Sequence, residues 1–564
     1  MTLNAIHWRH HGVGLLLAAL QLSMLVATND QVGIPRDESF YFYAADRAGD
    51  WVLGLFDGEV ESFSREQVDR GFKYNHEHPV LMKMLFGVSH HVLHDRLELL
   101  DSNMLAYRFP TMLLAALAVW LTFLLGRMVA GTAAGVVAGL ALTFMPRVFF
   151  HAHLACFDAP VTFMWLLVCY TFLRATRSRR WAIASGVAVG LGLATKLNIF
   201  FVPFALLGVA ALDTWAYKRR TGAWKAPEGE RGPLTCYTWV AASMLVLGLG
   251  VFLAHWPWLW FDTVPRLKAY YAFHARHEHY PVDYLGTLYF APPFPVHFPF
   301  VFTLFSVPVA TLALGAVGFV EVVRRFVRQL RDPSDPDRRG AEAMLLVNAL
   351  VPPLVIALPF TPIFGGTKHW MPAMPFLSVM AGVAAVRMGR GLWRAAAPAR
   401  QAALGAGVAV AMLLPAAWAT LAYGPHGPAY YNTVAGGPPG AAAMRMPRNF
   451  WGYSTIAVLP FLDEAVEKNG LVFWHNATAG SVRAYQRDGL LRKDIRYSGD
   501  WTVPSSDWGV YHDQREKLPE ETDLWRAYGT DWPVDGYFLD GVQLIGVYHR
   551  PAPPALPTIP PGGR

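Results

Sequence analysis

Two carboxylates stand side by side in Arg36-Asp37-Glu38-Ser39-Phe40-Tyr41-Phe42-Tyr43, set among aromatic rings. A carboxylate held at such a rim can take a proton from a hydroxyl, as a general base does. The same pair would also suit a solvated helix exit. Further along, Asn75-His76-Glu77-His78-Pro79 adds a carboxylate flanked by imidazoles, a set able to bind a divalent cation or to position a phosphate. His90 and His94 follow one helical turn apart, with His91 between them; on an interfacial helix such histidines read as neighbours of lipid headgroups rather than as ligands. Asp158 opens an outer helix in His153-Leu154-Ala155-Cys156-Phe157-Asp158-Ala159-Pro160, where a carboxylate also answers the helix dipole. Lys196 lies between two apolar stretches, where a cation requires a charged partner, water or a headgroup, and a lipid phosphate would serve.

The elements that must carry these groups are membrane helices. The 564 residues are 54% hydrophobic and only 16% charged, whereas roughly a quarter of an ordinary soluble domain is charged. Apolar segments run approximately over 11–28, 105–126, 129–146, 157–173, 181–195, 197–213, 236–254, 298–320, 342–360, 371–387 and 403–422. They predict an all-α polytopic protein of about eleven transmembrane helices, each closing its own backbone hydrogen bonds. The two segments meeting at Lys196 are short enough to be tilted, broken or partly re-entrant. The first segment lacks a small-residue cleavage site and reads as a retained helix.

Charge sets the orientation. A cytoplasmic N-terminus places Arg174, Arg177, Arg179, Arg180, Lys218, Arg219, Arg220, Arg324, Arg325, Arg328, Arg387, Arg390 and Arg394 inside, while the short opposite loops are poor in basic residues. The net charge of +7 is therefore mostly topology, drawn to anionic headgroups. No aromatic-basic motif points to nucleic acid. The three cysteines, Cys156, Cys169 and Cys236, are scattered and suggest neither a disulfide framework nor a metal site.

The transmembrane domain is expected over 1–422, with outer loops 29–104 and 255–297. The first loop, about seventy-five polar residues, is longer than an idle connection in a compact bundle, and its stretch 81–100 reads as an interfacial helix. The second holds His255-Trp256-Pro257-Trp258-Leu259-Trp260, suited to an aromatic belt, and His279. Beyond 423 apolar runs shorten to strand length, as in 470–474, 536–539 and 544–548, with a helix expected at 460–468. A small outer-face α/β domain is thus expected over 423–550, followed by a disordered proline-rich tail, 551–564.

The order of these features resembles the bacterial branch of the family 39 glycosyltransferases, which includes protein O-mannosyltransferases and lipid A aminoarabinose transferases. The likeness rests on Asp37-Glu38, Glu77-His78-Pro79, Arg108-Phe109-Pro110, Asp158, Gly192-Leu193-Ala194 with Lys196, and Lys368-His369-Trp370-Met371-Pro372-Ala373-Met374-Pro375. Tyr284-Leu285-Gly286, Pro292-Pro293 and Tyr430-Tyr431-Asn432 add to it. One departure is His78, where the aminoarabinose transferases place a lysine.

The resemblance implies the glycosyltransferase type C fold, a bacterial inner membrane location, and a reaction centre under the first outer loop. It also implies a polyprenyl-phosphate sugar donor and a hydroxyl acceptor on a lipid, glycan or protein. Carried onto this chain, Asp37 would be the base, with Glu38 beside it, and the anomeric carbon would invert. Lys196, Lys368 and His369 would receive the departing phosphate. Glu77 with His78, Asp158 or His279 would orient the acceptor or hold a divalent metal, Glu77 and His279 being the metal pair. Intramembrane charges such as Lys196 and Asp158 would also suit a transporter or flippase, but repeated halves are not evident and the long acidic outer loop would go unexplained.

Overall fold

The computed structural model describes residues 6–176, 178–227, 232–276, 278–331, 340–499 and 503–551; the tail expected beyond 551 lies outside them. The chain divides into two compact units, one of residues 1–32 and 37–447 and one of 33–36 and 448–564.

The first unit is helical. Its opening elements are α1 (Trp8–Ala27), α2 (Arg36–Phe56), α3 (Arg65–Phe72), α4 (Leu81–Ser89), α5 (Asn103–Ala130), α6 (Thr132–Thr143), α7 (Pro146–His153), α8 (Asp158–Ala175) and α9 (Arg179–Leu193). Every apolar segment expected to span the membrane contains helix, and the chain is a multi-pass membrane protein. The count differs from eleven. Among the described residues six helices are long and apolar enough to cross: α1, α5, Leu197–Thr221, Pro233–Ala254, Met371–Leu392 and Pro398–Ala429.

Much of the shortfall is one of length and breaks. Helix α9 has 15 residues and Ala341–Ile356 has 16, roughly 22–24 Å of helix against a hydrocarbon core of about 30 Å. The segment expected over 129–146 is the pair α6 and α7, bent by 70°. The one expected over 298–320 is split into Phe298–Ser306 and Val309–Arg331, because Pro308 lacks an amide hydrogen and its ring disfavours helix in the residue before it.

Two features of this unit position the polar groups. Helices α2 and α4 cross closely: a side chain at Gly87 would meet the Ala45 carbonyl oxygen at 2.0 Å and the Gly49 Cα at 2.9 Å, so only glycine fits. After α4 the backbone widens into a π-helical turn, His90–Arg96, the kind of bulge often found at functional sites. Near 282–289 the strands β1 (Val282–Tyr284) and β2 (Thr287–Tyr289) pair antiparallel.

The second unit is built on β3 (Leu471–Trp474), β4 (Arg496–Ser498), β5 (Trp508–His512), β6 (Asp535–Leu539) and β7 (Val542–His549), in the order β4-β3-β5-β7-β6. Strands β3, β4 and β5 run parallel to one another, and β7 is antiparallel to β5 and β6. The three strand-length runs read from the sequence are β3, β6 and β7. Asp540 and Gly541, both at positive φ, close the β6–β7 hairpin, as a two-residue primed turn requires. The helices Leu459–Ala465, Ala479–Arg487 and Leu518–Tyr528 complete the unit.

The expected domain boundary near 423 moves to 447/448. Residues 424–447 stay with the helical unit because Asn432 donates its side-chain amide to the carbonyls of Leu304 and Val307, and Arg147 donates to the Tyr430 carbonyl at 3.1 Å. Residues 33–36 join the second unit through Ile34 N–H to the Tyr485 hydroxyl at 2.6 Å and Arg36 N–H to the Trp451 carbonyl at 2.7 Å.

Candidate active site

Asp37 and Glu38 occupy the first turn of α2, where a negative charge meets the positive end of the helix dipole. Successive helical residues point about 100° apart, and the two acids diverge. Asp37 is half-buried and Glu38 fully buried. Glu38 grips Arg108 of α5 with both oxygens, Nε to Oε1 at 2.8 Å and Nη2 to Oε2 at 2.7 Å, and Oε1 also accepts the Ala155 amide at 2.7 Å. Arg108 donates its remaining terminal nitrogen to the Val32 carbonyl at 2.8 Å. Glu38 is therefore a structural anchor, and its expected place beside Asp37 in catalysis is corrected: three hydrogen bonds hold its two oxygens, and it has no solvent-facing surface.

Asp158 opens α8 and accepts Lys196 Nζ on Oδ1 at 2.5 Å, with the aspartate side chain 3% exposed and the lysine 19%. Lys196 stands where the helical path breaks between α9 and the 3-10 turn Leu197–Phe201. The pairing that a cation at this depth needs is thus supplied by Asp158.

Lys368 is buried on the 3-10 turn Gly366–His369. Burial pulls its pKa down to about 8, opposed by the negative charges of Asp158 and Asp37 and assisted by the Lys196 charge. Tyr41, one turn after Asp37, reports the same neighbourhood. Burial pushes its hydroxyl well above the usual range, and Asp37, Cys156, Asp158 and Glu77 add to the shift. Asp37, Asp158, Lys196, Lys368 and Glu77, far apart in the sequence, thereby share one electrostatic neighbourhood with Tyr41, whose ring lies 4.4 Å from that of Phe157.

The Glu77 turn is rigidly held. Asn75 donates to Glu77 Oε1 at 2.8 Å, and the buried Lys83 Nζ donates to the carbonyls of Asn75 at 2.6 Å and His78 at 2.8 Å. His78 packs on Tyr41 and Phe157, with ring centroids 5.8 and 5.4 Å apart. From the segment 255–297 it is His274 that meets this turn, its Nε2 lying 3.1 Å from the Glu77 carbonyl oxygen, whereas His279 packs against Phe294. Among the described residues, neither Glu77 nor His279, the pair expected to hold a metal, belongs to a cluster of three metal-ligating side chains.

His369 is also corrected as a phosphate contact. Its Nε2 is 2.6 Å from the Phe364 carbonyl, so it carries the proton there, and burial lowers the pKa to about 3, leaving the ring neutral. Sequence reasoning passed over Lys83 and His274, whose partners are set by tertiary contact, and gave Arg108 only as part of a motif. The Arg-Phe-Pro run was the one signal for it.

Residues 90–225 match the family model described as dolichyl-phosphate-mannose-protein mannosyltransferase. The match bears out the resemblance read from the sequence over a stretch that contains Arg108, Asp158 and Lys196 and covers less than half of the chain. Among solved structures, ArnT from Cupriavidus metallidurans bound to undecaprenyl phosphate is 15% identical with a TM-score of 0.49, covering 95% of this chain and 98% of that one. The Archaeoglobus fulgidus oligosaccharyltransferase in its apo form is 14% identical with a TM-score of 0.47, covering 92% and 70%. The S. cerevisiae protein O-mannosyltransferase Pmt1-Pmt2 complex bound to the sugar donor is 18% identical with a TM-score of 0.31, covering 46% and 34%. No curated protein matches.

Proposed function

We propose that this chain is a membrane glycosyltransferase that moves a sugar from a polyprenyl-phosphate carrier to a hydroxyl on a lipid, glycan or protein at the outer face of a bacterial inner membrane. The observation that carries this reading is the gathering of Asp37, the Asp158–Lys196 pair and Lys368 in one neighbourhood. The family match over 90–225 supports it from the sequence side.

In the reaction, the acceptor oxygen forms its bond to the anomeric carbon as Asp37 takes the hydroxyl proton, and the bond from that carbon to the phosphate oxygen breaks with inversion. Negative charge grows on the departing polyprenyl phosphate. Lys368 and Lys196 supply the positive charge that stabilises it, Lys196 keeping ammonium donors beyond its one contact with Asp158. Glu77, held by Asn75, orients the acceptor.

Asp37→Asn removes the base and keeps the shape. Membranes loaded with radiolabelled polyprenyl-phosphate sugars should transfer label about 10²–10⁴-fold more slowly with this variant. Transfer at the wild-type rate would remove Asp37 from the mechanism. If purified protein bound no lipid-linked sugar while vesicles containing it passed a solute, a transporter would replace the enzyme.

A further inference from the structure

A second polar cluster lies away from the Asp37 neighbourhood, on the π-helical turn that follows α4. His90 is 7% exposed and its Nδ1 has no hydrogen-bond partner. Its Nε2 lies 3.0 Å from the Asn103 side-chain oxygen, so the ring proton sits on Nε2 and the Nδ1 lone pair is bare. His94 repeats the arrangement with the nitrogens exchanged: Nδ1 lies 2.7 Å from the Leu100 carbonyl, which fixes the proton there and leaves the Nε2 lone pair exposed. Both lone pairs face Asp95. His90 Nδ1 is 3.5 Å from Asp95 Oδ2, and His94 Nε2 is 4.0 Å from Asp95 Oδ1.

We propose that His90, His94 and Asp95 bind a divalent transition metal ion, zinc by preference. Their ligand atoms all lie within 4.8 Å of one another. A tetrahedral zinc with bonds near 2.0–2.1 Å needs neighbouring ligand atoms about 3.3 Å apart, so the His90–Asp95 edge already fits and the His94 edge closes with a small side-chain shift. Two imidazoles exclude the hard cations calcium and magnesium as preferred occupants. Each imidazole gives its other nitrogen to an oxygen, the outer-shell pattern that fixes tautomer and orientation in metal sites. The carboxylate is steadied as well, since Oδ2 is 3.0 Å from His91 Nδ1.

Asp46 groups with His90 and His91 rather than with His94 and Asp95, so it would join the ion only after a side-chain shift. Asp46 Oδ1 lies 3.9 Å from His90 Nδ1 and accepts a hydrogen bond from the Tyr107 hydroxyl. Asp46 belongs to α2, the helix that carries Asp37 in its first turn, so an ion that also drew in Asp46 would tie the middle of that helix to the turn after α4. At 1.5 Å per residue Asp46 is roughly 13 Å from Asp37 along the axis, which makes the site separate from the proposed chemistry. It stands whether or not the chain transfers sugar.

The test is zinc stoichiometry and affinity on the full chain purified in detergent, stripped with a chelator and titrated with zinc against a chromogenic competitor. Wild type should take up one high-affinity zinc, and its cobalt form should show the visible bands of a tetrahedral ion. His94→Gln, at a partly exposed position that tolerates the change, should weaken zinc at least ~100-fold, and Asn103→Ala by about 10–100-fold. Glu77→Gln and His279→Gln should leave zinc affinity unchanged, which separates this site from the outer loops. Zinc should raise the melting temperature of wild type and fail to do so in His94→Gln. Wild type without stoichiometric zinc, or zinc binding indifferent to both His94→Gln and Asn103→Ala, would overturn the proposal.

Discussion

The helical unit contains two carboxylate–cation pairs of the same chemical kind and different exposure. Glu38 and Arg108 are wholly inaccessible, joined by two parallel hydrogen bonds, with further contacts to the Ala155 amide, the Val32 and Asn29 carbonyls and the Asn29 side-chain oxygen. Asp158 and Lys196 meet through one oxygen, and the lysine keeps 19% of its side chain exposed. A fork-to-fork pair out of water is geometrically determined and cannot exchange partners. A single ammonium contact at an opening can be shared with an arriving anion, since the ammonium has three donors. Residue type does not separate structure from chemistry here; the number of donors already engaged does.

Breaking the first pair gives the largest expected effect. Arg108→Met leaves Glu38 buried and charged without its partner, a loss of about 3–5 kcal/mol, to be read as a lowered unfolding temperature and poor recovery from membranes. Glu38→Leu combined with Arg108→Met should recover part of it, though the Ala155 amide and Val32 carbonyl stay unsatisfied. A stable Arg108→Met protein would contradict the anchoring role.

Next is Lys368→Met, which should leave thermal stability near wild type while transfer from a polyprenyl-phosphate sugar falls about 10²–10³-fold. Because the residue is buried, the sharper comparison is with Arg108→Met, where stability and activity fall together. Smaller again is the coupling of Asp158 and Lys196. A double-mutant cycle with Asp158→Asn and Lys196→Met should give an interaction energy of about 0.5–3 kcal/mol in thermal or chemical unfolding. A value near zero would mean the contact is made only loosely.

What the sequence disclosed follows the range of the interactions involved. The apolar segments were legible because each satisfies its own backbone, so composition alone marks it; the breaks at Pro308 and between α6 and α7 shorten the spans without hiding the helices. The strand-length runs of the second unit were legible for the same local reason. Adjacent Asp37 and Glu38 looked equivalent, because the partner that draws Glu38 inward, Arg108, is seventy residues away in the chain. His274 was overlooked and His279 preferred, although both stand in the same segment, since only packing decides which meets Glu77. The His90 and His94 pair showed its helical spacing in the sequence, yet the Asn103 and Leu100 contacts that bare their lone pairs did not.

Lys83 is the limiting case of the comparison, a buried cation whose Nζ is held by the carbonyl oxygens of Asn75 and His78 in place of a carboxylate. Burial pulls its pKa from the ordinary 10.5 to about 7, with Glu77 pulling the other way. Between those two values the unfolded chain holds a proton that the folded chain lacks, so stability rises with pH across that window. Below about pH 7 both states hold the proton and the burial penalty is constant. The neutral amine retains two N–H donors and still serves both carbonyls, so nothing is lost on deprotonation. From this group alone the expected slope between pH 7 and 9 is up to about 1.4 kcal/mol per pH unit. Lys83→Met should flatten that limb from about pH 7 in thermal unfolding of the purified protein, while Lys368→Met should flatten only the part above about pH 8, the value to which burial has brought the Lys368 amine. A Lys83→Met protein whose stability still rose as steeply above pH 7 would assign the slope to another group.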